Sequence, residues 1–157
     1  MRPAVDKVMP EAWKAVVAFS SVIREGAAQQ GLSAQESELI KVRASQLNGC
    51  SFCLDLHSRE ARQAGMPQQK LDVLPAWRES GIFSERERAV LAIADATTQL
   101  PLSEGSGDDL SGALAVLGES TFVAAEWVAI AINAFNRISI LSEHPVRPRD
   151  SDGKLVR

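Results

Sequence analysis

Between Thr121 and about Leu141 the chain is apolar on almost every face of a helix. Phe122, Val123, Trp127, Ile130, Ile132 and Phe135 are spread around the turns, with Ala and Val filling the gaps. A helix of that kind needs burial on all sides, which one small domain rarely supplies alone. The segment is therefore expected to be the central helix of a bundle that also turns one face to another subunit. The rest of the sequence agrees with a bundle. Apolar residues recur at helical spacing nearly everywhere, and no run alternates apolar with polar between turn signals, so the fold is expected to be all-α. At 157 residues with 45% hydrophobic content and no visible repeat, one domain over 1–157 is expected, with its core at about 10–145 and an extended tail over 146–157.

Several function classes drop out on charge and hydropathy. The longest uninterrupted apolar stretch, Trp127 to Ile132, is far below the roughly 20 residues of a membrane-spanning helix, so no membrane partner is expected. Seventeen Lys and Arg against 20 Asp and Glu, interleaved, make no footprint for a phosphate backbone, so no nucleic acid is expected either. The opening MRPAVDKVMPEAW has no continuous apolar segment after its first Arg; a secretory leader is not expected, and the cytoplasm is the default compartment.

Local signals divide the chain. Pro10-Glu11 opens a helix whose apolar face ends at Gly26 and Gly31. Ser33 and Glu36 form a capping-box pattern, and the helix they start is stopped by Asn48-Gly49; it carries Glu38. A third helix is expected from Cys50 to Ala64, before Gly65 and Pro67, and a short segment follows to about Trp77. Ser84 and Glu87 repeat the capping box. The stretch LSEGSGDDLSG reads as a loop by composition, after which Thr121 is expected to cap the long last helix.

Only two cysteines are present, and they decide the chemistry. On a helix, Cys50, Cys53 and His57 fall at i, i+3 and i+7, on one face. Cβ atoms three residues apart lie about 5–6 Å from each other, so a small adjustment brings two sulfurs to bonding distance, and the pair can cycle between dithiol and disulfide. A helix N-terminus beside them favours thiolate, most of all at Cys50, the sulfur nearer the helix start and the one expected to be more exposed. His57 can take a proton from a sulfur or stabilise a thiolate as imidazolium, and Glu38 can orient it if the two helices fold back on each other.

The blander alternatives have definite forms. Cys50, Cys53, His57 and Glu38 are four ligands of types that zinc accepts, but no second pair at finger-like spacing accompanies them, so no metal is expected. Leu54 after Cys53 removes the c-type haem motif. Glu126, Asn133 and Arg137 make a polar stripe on the last helix, expected to be a structural hydrogen-bond network. His144, beside Pro145, is given no role.

Glu38, the Asn48-Gly49-Cys50-Ser51-Phe52-Cys53 segment, His57, Ala61 and Gly65 together resemble the alkylhydroperoxidase D-like branch of the carboxymuconolactone decarboxylase family. The resemblance extends from about residue 10 to 145, through Phe83–Ala89 and Ile132–Arg137. It implies an AhpD-like helical bundle, trimeric or hexameric, acting as a thiol-dependent hydroperoxidase or disulfide reductase. The implied partners are a hydroperoxide and a thiol or dithiol protein reductant, with no cofactor. In that family the residues matching Glu38, Cys50, Cys53 and His57 form a relay, in which Cys53 attacks the peroxide and Cys50 resolves the sulfenic acid to a disulfide. One departure stands out: Phe52 occupies the place of a second His in the best-studied branch, so one proton-handling group is missing. Two alternatives remain: a non-catalytic oligomer with zinc-binding or redox-sensing cysteines, and a decarboxylase or lyase on the same scaffold.

Overall fold

The computed structural model describes residues 2–156. Among these residues the chain forms α1 (Val5–Val8), α2 (Pro10–Gln29), α3 (Ala34–Asn48), α4 (Ser51–Gln63), α5 (Gln68–Val73) with a 3₁₀ turn at Leu74–Ala76, α6 (Glu85–Thr98), α7 (Ser106–Leu117) and α8 (Glu119–Leu141), and no β-strand. The two expected capping boxes are both made. The Ser33 and Ser84 hydroxyls accept from the Glu36 and Glu87 backbone amides, and the two carboxylates accept in return from the Ser33 and Ser84 N–H groups. Gly49 ends α3 in the left-handed conformation (φ 67°), which lets the chain reverse at once into α4.

Four local expectations need correction. Gly26 does not end α2, because a single helical glycine costs only about 1 kcal/mol and packing overrides it. The Gly- and Ser-rich stretch is half helix: α7 turns Leu110, Ala113 and Leu117 toward the core, and burying them offsets the poor propensity of Gly107 and Gly112. Thr121 caps nothing, since α8 begins at Glu119 after Gly118; its hydroxyl instead donates to the Gln30 carbonyl (2.7 Å) and ties α8 to the end of α2. The tail is not simply extended. Arg149 and Leu155 form an antiparallel bridge around a turn at Asp150–Gly153.

The helix buried on all sides is α6, not α8. Every residue from Ala89 to Ala96 is buried, and α6 joins both apolar clusters of the core. Its alanines at 89, 92, 94 and 96 let α3, α7 and α8 approach closely. The buried Asp95 carboxylate holds this centre together, accepting from Arg43 of α3 (2.6 Å) and from the Trp77 indole (3.2 Å). By contrast α8 packs on α2, α3, α6 and α7 yet leaves Val123, Trp127 and Ile130 over 40% exposed along one stripe.

Candidate active site

Cys50 is the N-cap residue of α4 rather than part of its first turn. Its backbone is extended (φ −86°, ψ 94°), and its sulfur accepts the Cys53 N–H at 3.4 Å, where a Ser or Asp oxygen usually sits. Both sulfurs therefore meet across the opening of the helix as free thiols. The expected exposure of Cys50 is wrong: Cys50 and Cys53 are 1% and 3% exposed. Burial pushes the Cys50 thiol up to about 12, the neighbouring Cys53 thiol adds to the rise, and the Cys53 N–H and the Asn136 amide only partly oppose it. At Cys50 desolvation thus outweighs the pull of the helix N-terminus toward thiolate.

Beneath Cys50 lies the polar network that the stripe on α8 foreshadows. Asn48, at the end of α3, donates to the Asn133 and Asn136 carboxamide oxygens (both 2.9 Å). Asn136 is fully buried and donates to Ser45 Oγ (3.0 Å), while Asn133 donates to Thr98 Oγ1 and accepts from Arg137. Every amide in this cluster has partners, so it fixes the Asn48-Gly49-Cys50 turn against α8. Glu126 makes no side-chain hydrogen bond to it among the described residues.

His57 and Glu38 come together as the sequence anticipates, because α3 and α4 fold back on each other across Gly49. The imidazole Nδ1 lies 2.9 Å from Glu38 Oε2, and Lys41 Nζ donates to Glu38 Oε1 at 2.6 Å. Glu60, one turn further along α4, adds a second carboxylate 3.2 Å from the same nitrogen. Sequence reasoning missed Glu60, though it stands at i+3 from His57 and on its face. Burial works against a charge on His57, but the hydrogen bonds to Glu38 and Glu60 outweigh it and raise its pKa; the same contact holds Glu60 below the usual carboxylate range.

Glu38, His57 and Glu60 are also the one group among the described residues able to converge on a metal ion, with ligand atoms within 4.8 Å of each other. The cysteines do not belong to it, so the four-ligand set of Cys50, Cys53, His57 and Glu38 is not assembled.

Two cavities flank α4. One, of about 240 Å³, is lined by His57, Glu60 and Lys41 and closed by Arg24 of α2 and Phe135 of α8. The other, of about 210 Å³, has Gly49, Cys50 and Phe52 on one wall and Ser139, Glu143 and His144 on the other. Cys50 and His57 thus open onto different spaces. A larger apolar groove between α2 and α8, about 650 Å³, contains none of these residues.

The sequence profile of the carboxymuconolactone decarboxylase family matches residues 10–96, from the start of α2 into α6. Uncharacterized protein YdfG of Bacillus subtilis is 31% identical over 134 residues, covering 85% of this chain and 88% of that one. Uncharacterized protein YnjA of Escherichia coli is 33% identical over 63 residues, 40% of this chain and 35% of its own. The crystal structure of an Agrobacterium tumefaciens protein of unknown function, given as a candidate antioxidant defence protein AhpD, superimposes with a TM-score of 0.82 at 35% identity, over 92% of this chain and 98% of that one. The match spans the cysteine turn, the helices that carry Glu38 and His57 and the bundle as a whole: this chain belongs to the carboxymuconolactone decarboxylase family, in its AhpD-like branch.

Proposed function

We propose that the protein is a thiol-dependent hydroperoxidase with disulfide reductase chemistry, in which Cys53 is the nucleophile, Cys50 the resolving thiol, and His57 with Glu38 the proton relay. The observation that carries this reading is the stacking of two free sulfurs across the first turn of α4, one turn below an imidazole held by a buried carboxylate. The likeness to a candidate antioxidant protein supports it. So does the high pKa of Cys50, which suits a resolving thiol that stays protonated until a sulfenic acid is beside it.

In this reaction Cys53 attacks the outer peroxide oxygen. The O–O bond breaks, the alkoxide takes a proton from the His57 imidazolium and leaves as alcohol, and Cys53 becomes a sulfenic acid whose former thiol proton passes to His57 in its place. Cys50 then attacks that sulfur; its proton and the hydroxyl leave as water, and the disulfide closes. No cofactor enters the balance. Purified protein supplied with dithiothreitol is expected to consume cumene hydroperoxide catalytically, and its titratable thiols should fall from two to none in a single turnover without reductant. Stoichiometric zinc in the purified protein with thiols inert to peroxide would instead favour a metal centre at Glu38, His57 and Glu60, for which the convergence of those ligands is the specific observation.

The protein also acts as a homo-oligomer in this reading. Val123, Trp127 and Ile130 line one face of α8, and Val22 of α2 is 70% exposed beside the same apolar groove. A second copy of the chain covering that face completes the burial that the composition of α8 demands. Trp127→Glu is expected to reduce the particle to the 16.9 kDa monomer in sedimentation, with helicity retained; an unchanged mass removes this interface.

A further inference from the structure

The cavity beside Cys50 is bounded opposite by residues to which the peroxide chemistry assigns nothing: Ser139, Ile140, Glu143 and His144. His144 is set there by the way α8 ends. Its N–H bonds back to the Ser139 carbonyl (3.1 Å) and the Glu143 N–H to Ile140 (3.3 Å), with Glu143 in the left-handed region (φ 54°), where glycine is the usual residue. The N-terminal arm holds this turn. Arg2 binds the Glu143 carboxylate through its backbone N–H (3.1 Å) and its guanidinium (3.2 Å), and the Val5 N–H donates to Ser142 Oγ (2.9 Å).

The result is a chain of three groups. The Asp6 carboxylate lies 3.3 Å from His144 Nε2, and His144 Nδ1 lies 3.3 Å from Ser139 Oγ, while the ring stands edge-on to Phe52 at 5.3 Å. The titratable and charged groups around His144 are Asp6 from α1, Glu143 beside it with its partner Arg2, and Cys50 from the start of α4. The Asp6 carboxyl, despite a desolvation cost, is held below its ordinary range by its bond to His144, so an ionised acid backs the ring.

We propose that Asp6, His144 and Ser139 are the proton-transfer chain of the reductive half-reaction, and that the cavity His144 and Ser139 share with Cys50 admits the reducing dithiol. This deepens the disulfide reading above and rests on it. An incoming thiol gives its proton through Ser139 to His144 and attacks Cys50 Sγ. The Cys50–Cys53 bond breaks, and Cys53 departs with the electron pair and takes a proton from His57. The second thiol of the dithiol then displaces Cys50, which takes the proton held on His144, and the reductant leaves as its own disulfide. The second thiol's proton restores His57 through solvent, so two protons and one electron pair in all pass from the dithiol to the two cysteines. The protonating group matters most at Cys50, because a buried thiol of high pKa is a poor leaving group as a bare thiolate. His144 thereby supplies, from the far end of the chain, a second imidazole beside the cysteine turn where Phe52 offers none.

The test separates the two half-reactions. The disulfide is made with diamide, so its formation does not depend on peroxide, and its reduction by dithiothreitol is followed across pH. His144→Gln is expected to slow reduction about 100-fold and flatten its pH dependence, lowering the ratio of reduction to peroxide-oxidation rate by the same factor. Asp6→Asn should give a smaller loss in the same direction, and added imidazole should restore part of the rate to His144→Gly. Wild-type reduction rates and pH profile in His144→Gln overturn the proposal, as does an equal drop in both half-reactions that imidazole does not relieve. A wild-type protein reduced in this way yet inert to peroxide would remove the peroxidase reading and leave the assignment of this chain standing.

Discussion

Cys53→Ser is expected to bring hydroperoxide turnover down to the uncatalysed background, a loss on the order of 10⁴-fold or more, because no other group in the site can accept oxygen and pass it on. Cys50→Ser is expected to behave differently. It keeps the attacking sulfur, so it should consume one equivalent of peroxide, stop, and carry one added oxygen on Cys53 that a sulfenic-acid probe captures. The asymmetry follows from burial. Burial is the largest cause of the raised Cys50 pKa, and Cys53→Ser leaves that burial in place, so the single thiol of this variant should stay protonated at pH 7 and alkylate very slowly. It is nearly as poor a nucleophile toward peroxide. If Cys50→Ser is inert and Cys53→Ser takes up one equivalent, the two roles are reversed and the helix-start argument for Cys50 is reinstated.

Spacing on one helix is legible: the capping boxes at Ser33 and Ser84, the stop at Gly49 and the shared face of Cys53 and His57 all depend on residues within a few turns of each other. Even the pairing of Glu38 with His57 follows from two helices joined at one left-handed glycine. Burial is not local, and so it is not legible. Whether Cys50 sits in water or in protein depends on Asn136 and Ser139, which are more than 80 positions away. The same limit explains α7, whose glycines and serines argue for a loop while Leu110, Ala113 and Leu117, at helical spacing, argue for a buried face. Composition had the louder signal and packing the larger energy. The Asp6–His144 pair, separated by 138 positions, carries no sequence signal at all.

His57→Gln is expected to lower the rate constant for peroxide by about 10²–10³-fold, the span that one positioned acid–base group contributes. The pH dependence distinguishes this role from a purely structural one. His57 delivers a proton to the departing alkoxide, so the wild-type rate should fall as pH rises through its folded pKa. That limb lies above the ordinary imidazole value, since the hydrogen bonds to Glu38 and Glu60 outweigh burial. Removing the Glu38 charge leaves burial dominant, so Glu38→Gln should move the limb to lower pH. Glu60→Gln should move it the same way by less, because its contact is longer and its side chain is 43% exposed. Stability should follow the same linkage. A raised His57 pKa means that its ion pairs stabilise the fold fully below about pH 6.5 and that the contribution is lost as pH rises through the folded value. Glu60, whose pKa is lowered, contributes above the usual carboxylate range and loses that contribution on acidification. The gap in melting temperature between wild type and His57→Gln should therefore be widest in the mildly acidic window between these limits and narrow toward pH 9. A gap that widens with rising pH would mean that the imidazole is held neutral between its two carboxylates, and the relay would then have no proton to give.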